Sequence, residues 1–213
     1  MNSTGVTGTG IGEAIAAERR QLADLLAGLP PASWDAASLC AGWRVREVVA
    51  HMTMPFRYSG ARFMIEMMKA RGNFNRMADR SARRDAALPA EVLVASLRDN
   101  EQTPWKPPGG GLEGALTHDV IHGLDITVPL GTGRNVPEQH LRIVLDAITQ
   151  PRSRKFFGAD LAGIQFRAGD LDWSFGSGTP VTGQAQHLAL ALCGRRLPAG
   201  LLSGEQSARF SQP

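Results

Sequence analysis

The chain has 213 residues, 43% of them hydrophobic and 20% charged, with 23 Lys and Arg against 20 Asp and Glu for a formal net charge of +3. That length can bury a real core, and the composition is that of a globular protein, which excludes disordered and fibrous classes. No apolar run approaches the roughly 20 residues that span a bilayer, and MNSTGVTGTG has neither the charged nor the apolar part of a signal peptide, so a cytoplasmic protein with no membrane partner is expected.

Residues 1–9, polar and rich in Gly and Thr, are expected to be a disordered start. From Ile11 the apolar positions Ile11, Ile15, Leu22, Leu25 and Leu26 recur at helical spacing until Gly28 and Pro30, which predicts a first helix. After a linker containing Trp34, CAGWRVREVVAHM places Val45, Val48, Val49 and Met52 on one side of a second helix, with His51 among them. Pro55 removes the amide that would bond the His51 carbonyl, so a bend is expected there. The pattern resumes through Phe56, Phe63, Met64 and Met67 toward Gly72, a Met-rich stripe that reads as core.

Residues 74–86 predict a short polar helix and 88–100 another beginning beside Pro89. The basic residues Arg71, Arg76, Arg80, Arg83 and Arg84 cluster around the first of these. With Asp79 and Asp85 interspersed and no aromatic interleaving they read as a solvated face, and no nucleic-acid partner is expected. TPWKPPGGG over 103–111 is a loop, read as a rim over a site with Trp105 and Lys106 as its candidate binding residues. A helix carrying LTHDVIHGLDI follows. Past Gly131 the composition changes: 137–150 predict a helix, 164–176 a β-hairpin around Gly169 and Asp170, GSGTPVTG over 176–183 a turn-rich bridge, and 184–194 a last helix ending at Gly194. The predicted fold class is mainly α with a small α/β tail, divided into a helical bundle over 10–150 and an α/β domain over 151–213.

His118 and His122, at i and i+4, present two imidazoles to one point on a helix face, the arrangement a metal ion asks for, although a solvated face gives the same spacing. His51, among apolar neighbours, is the natural third ligand, and three protein ligands with one open position mark a catalytic rather than a structural site. Glu47, one turn before His51, and Asp125, one turn after His122, could accept a ring N–H each. His140 and His187 read as solvent-facing. Cys40 and Cys193, far apart and outside any CxxC motif, read as small buried hydrophobes in a reducing compartment.

Trp34 with its following loop, CAGWRVREVVAHM, HDVIHGLDITVPLG and LDWSFGSGTPVTGQAQHLALALCGR together resemble the mycothiol-dependent maleylpyruvate isomerase family within the DinB-like metalloproteins. The resemblance spans about Ile11 to Leu202. It implies an N-terminal antiparallel four-helix bundle holding a divalent metal on His51, His118 and His122, followed by a small α/β domain, and it implies mycothiol as a thiol cofactor held as a metal-bound thiolate. Zinc is the expected ion, with nickel, iron or manganese open to the same donors. The isomerase itself has a glutamate where this chain has His118, and the three-histidine set is more similar to the thiol S-transferase branch. The helix-start position that is often threonine in the family is Arg44 here, so a capping hydroxyl is missing. The family's C-terminal-domain arginine corresponds to Arg195 or Arg196, with Arg195 the candidate. The expected activity is transfer or isomerisation of a small electrophile using mycothiol. A non-catalytic metal-binding module is the alternative, and a homodimer is open to such bundles.

Overall fold

Alanine, leucine and glutamate with no internal proline carry the first helix, α1, over Gly8–Ala27, and Pro30 ends the pattern just beyond it. The computed structural model describes residues 8–212, so the polar start expected over residues 1–9 lies outside them except for Gly8 and Thr9, which are helical. The described residues form two compact units, one ending at Ile126 and the other beginning at Thr127. The fold class is the predicted one, mainly helical with a small sheet near the C-terminus.

In the first unit, a short 3-10 turn at Pro31–Asp35 buries Trp34 and leads through a loop to α2, Val45–Arg57. Helices α3 (Gly60–Lys69), α4 (Phe74–Asp85), α5 (Ala90–Arg98) and α6 (Gly111–Thr127) follow. Helix α1 packs on α5, and α2 packs on both α4 and α5. Of the predicted faces, Ile11, Ile15, Leu22 and Leu26 of α1 and Val45, Val48, Val49 and Met52 of α2 are buried and Leu25 is half-buried, while α6 buries Leu116, Val120 and Leu124. Pro55 does not end α2, which runs on to Arg57; the Arg57 guanidinium and the Thr53 hydroxyl both bond the Ala50 carbonyl in that turn.

The Met-rich stripe is divided rather than buried. Phe63 and Met67, four apart on α3, pack with Met54, Ala70 and Met77, whereas Met64 and Met68, each one position further along and so turned about 100° away, are 58% and 67% exposed.

The second unit holds α7 (Glu138–Thr149), α8 (Pro151–Phe157), a four-stranded sheet and α9 (Ala185–Leu192). The expected hairpin forms from β1, Ile164–Ala168, and β2, Ser174–Gly176, with Phe166 opposite Phe175. The stretch read as a bridge is instead β3, Thr179–Gly183, parallel to β1 and followed at the sheet edge by β4, Leu202–Ser203. Pro180 fits there because β4 pairs only with Thr182 and Gly183, leaving β3 an edge at Pro180. Helix α7 buries Leu141, Val144 and Leu145 and packs on α9. It therefore groups with the sheet, and the division between units falls near the composition change at Gly131, earlier than the expected 150/151 boundary.

Candidate metal centre

Helix α6 sets the first two donors. One helical turn separates His118 from His122, and their ring centroids lie 4.8 Å apart. From α2, His51 brings its ring to 5.3 Å from His118 and 5.0 Å from His122. One ring nitrogen of each lies within 4.8 Å of the others, a group that could hold a metal ion. All three expected ligands are thus brought together, with His51 only 9% exposed.

Carboxylates orient two of the rings. Asp125 Oδ2 lies 2.9 Å from His122 Nδ1, as the i, i+3 spacing suggests, and Asp119 Oδ1 lies 3.0 Å from His118 Nδ1. An ionised carboxylate only accepts, so in both pairs Nδ1 carries the proton and Nε2 keeps its lone pair for a ligand. This donor chemistry fits a divalent cation of the zinc type.

Glu47 has a different place. Its Oε2 accepts the Arg44 backbone N–H at 2.8 Å, and its carboxylate is paired with the Arg44 guanidinium. Burial alone would raise the Glu47 carboxyl, but the Arg44 guanidinium and amide outweigh it and hold it below the ordinary carboxylate range. Arg44 thus supports the start of α2 through Glu47 where a capping hydroxyl would otherwise act.

The loop before α2 also reaches the centre. Ser38 N–H bonds the Trp43 carbonyl, Trp43 N–H bonds the Cys40 carbonyl, and the turn closes through Gly42 at φ +75, a conformation glycine adopts without strain. The Leu39 N–H donates to the Asp125 carbonyl at 3.0 Å, pinning this turn to the end of α6. Cys40 is consequently no inert hydrophobe: its Sγ donates to Asp125 Oδ2 at 3.0 Å and lies 3.7 Å from His122 Nδ1. Trp43 brings its ring to 5.2 Å from His51 while its Nε1 donates to Asp79 Oδ1. On the 103–111 loop, the Trp105 ring stands 5.0 Å from His118, edge to face, and Lys106 is exposed beside it. Cys40, Trp43 and Asp119 carry no spacing signal that would single them out; their placement depends on the turn at 38–43 and on the partner of Asp119.

The other candidates lie in the second unit. Arg195 is half-buried, donates to the Cys193 carbonyl at 2.9 Å, and lines a cavity of about 400 Å³ with Asp160, Arg196, Arg209 and Phe210. His187, expected at the surface, is 9% exposed because α9 is buried on every side, and His140 is half-buried. Cys193 is buried as expected, and neither cysteine is in a disulfide.

No helix is long and apolar enough to cross a membrane among the described residues. No curated protein matches the sequence. Solved structures of the mycothiol-dependent maleylpyruvate isomerase and of a histidine-to-alanine variant of it superpose with TM-scores of 0.60 and 0.61 at 12% identity, over 98% of this chain and 95% of theirs. At that identity the likeness is one of fold, and it spans both units. Residues 15–103 match the model of the mycothiol maleylpyruvate isomerase N-terminal domain, a segment that holds α2 with His51. The N-terminal helical segment is thus similar to the mycothiol maleylpyruvate isomerase N-terminal domain.

Proposed function

We propose that this protein is an enzyme that uses mycothiol to isomerise a small electrophile or to transfer the thiol to it, at a divalent cation held by His51, His118 and His122. The observation that carries the reading is the convergence of three imidazoles, two of them with their Nδ1 atoms on carboxylates. The family match supports mycothiol-using chemistry. When bound, the cation supplies a positive charge, undiminished by neutral ligands, that makes a thiol in its open position acidic and so nucleophilic at neutral pH.

The chain's own residues do the rest. Asp119 and Asp125 hold the Nδ1 protons and keep both Nε2 atoms aimed at one point. The indoles of Trp43 and Trp105 flank His51 and His118, restricting water and offering apolar faces to a bound substrate. Holding thiol and electrophile side by side gains by orientation as well as concentration. No protein nucleophile is required, and the Cys40 thiol is already engaged with Asp125. Lys106 on the rim loop is the cation assigned to anionic groups of mycothiol or substrate.

The test gives the zinc-loaded protein mycothiol with either maleylpyruvate, read as conversion to its trans isomer with the thiol regenerated, or a chloronitroarene, read as thiol consumed and chloride released. Turnover with mycothiol, absent with glutathione and reduced to background in His118→Ala, supports the reading. Equal rates in wild type and His118→Ala contradict it.

A further inference from the structure

A completely buried arginine lies behind one of the candidate ligands. Arg19, on α1, is 0% exposed, and its Nε donates to Asp119 Oδ2 at 2.8 Å. The other oxygen of the same carboxylate is the one that meets His118 Nδ1. Arg19 Nη1 donates to the carbonyls of Asn100 at 2.9 Å and Thr103 at 2.8 Å. Its guanidinium carbon lies 4.9 Å from the centroid of the Phe56 ring on α2, and its Nη2 is buried with no hydrogen-bond partner among the described residues.

Two physical points turn this arrangement into an assignment. Neighbouring residues on a helix diverge by about 100°, so side chains at i and i+1 do not face each other without help. His118 and Asp119 are such neighbours, yet they are in contact. The planar guanidinium of Arg19 holds the Asp119 carboxylate in the plane from which Oδ1 can reach the ring. Second, a buried ion pair is seldom the most stable filling for a bundle interior, and apolar residues of similar volume commonly serve as well or better. A fully buried arginine with a single carboxylate partner and one idle nitrogen is thus poorly explained by stability.

We infer that Arg19 is a positioning residue: through Asp119 it fixes the orientation and the Nδ1–H tautomer of His118, and through the Asn100 and Thr103 carbonyls it ties the loop bearing Trp105 to that ring. The thiol-activating centre and the loop that covers it are set by one guanidinium. Trp105, two residues past Thr103, then stands against His118 because both are anchored to Arg19. The assignment rests on His118 being a metal ligand for its use, although the tautomer itself exists without the metal.

The experiment separates the two. Long-range 1H–15N correlation spectra of the metal-free, full-length protein report which ring nitrogen of His118 carries the proton. The wild type is expected to show protonated Nδ1 and bare Nε2. In Arg19→Met, and in Arg19→Lys, which keeps a charge without the planar fork and guards against misfolding, that signature gives way to mixed tautomers. Leu22→Ala, on the same helix and equally buried, leaves it unchanged. Cobalt(II) titration of the same proteins is expected to show affinity lowered about 10- to 100-fold in the Arg19 variants, the usual cost of losing an outer-sphere partner. A wild-type His118 signature retained in a folded Arg19 variant overturns the assignment whatever the metal does. A changed signature in proteins that take up no cobalt leaves the assignment standing and removes the metal.

Discussion

Asp125 Oδ2 sits 2.9 Å from His122 Nδ1 and accepts the Cys40 Sγ–H at 3.0 Å, so one oxygen joins a candidate ligand on α6 to a thiol on the loop before α2. Replacing Asp125 with alanine is expected to weaken zinc or cobalt binding about 10- to 100-fold. Cys40→Ser, which keeps a donor, should change affinity far less than Cys40→Val, which removes it. Competition titration against a chelator of known affinity measures both, and equal affinities for Cys40→Ser and Cys40→Val would show that the thiol is a bystander.

Trp105 touches His118 through its ring and supplies no ligand atom. Trp105→Ala is expected to leave metal content intact and to raise the KM for mycothiol, as loss of a stacking wall should. Metal loss in this variant would mean that the loop holds the site shut rather than lining it.

Much of this centre was legible beforehand. The i, i+4 pair and the i+3 carboxylate follow from helix geometry alone, which brought out His118, His122 and Asp125, and the apolar setting of His51 pointed it inward. Arg19 lies 100 residues from Asp119 in the chain, and no periodicity joins them. Cys40 and Trp43 depend on a turn whose anchor, Leu39 to Asp125, is equally long-range. In the second unit, β3 was hidden because Gly178, Pro180 and Gly183 suggest a turn, while its strand character comes from parallel pairing with β1. Glu47 had the right spacing for His51, but Arg44 sits even closer in the chain and engages it.

Asp85 is expected to hold α4 to the end of α2. It is buried and accepts from Arg57 Nη1 at 2.7 Å, Tyr58 Oη at 2.8 Å and the more exposed Arg84 Nε at 2.9 Å. Burial would raise its carboxyl, but the bonds from Arg57, Arg84 and Tyr58 prevail and hold it below 3.8. A lowered folded value means that the stabilisation is present above pH 3.8 and is lost as the pH falls through the folded value. Asp85→Ala should therefore cost about 3 kcal/mol at neutral pH, since it leaves buried donors unmatched, and progressively less under acid. Urea unfolding at pH 7 and pH 3 measures the difference, and a cost that does not shrink at pH 3 would refute the charge argument.

His187 gives the second unit a different pH response. Burial pushes its ring below 6.5, only partly countered by Asp170, and its Nδ1 has no hydrogen-bond partner among the described residues. The unfolded chain then binds a proton that the folded one refuses, so stability holds above pH 6.5 and declines as the pH drops toward the folded value. The slope can reach at most about 1.4 kcal/mol per pH unit for one proton. Chemical unfolding followed through Trp173 fluorescence between pH 7.5 and 5 should show this decline in the wild type and a flatter profile in His187→Gln. Parallel profiles would exclude His187 as the source.

The most direct measurement is the metal content of the untagged protein, purified without chelator, beside His51→Ala, His118→Ala and His122→Ala. About one divalent ion per chain in the wild type, lost in each variant while helical content and unfolding remain cooperative, is the result that three converging imidazoles predict. A wild type that stays metal-free when offered zinc, or one whose metal survives all three substitutions, would contradict a centre built on His51, His118 and His122.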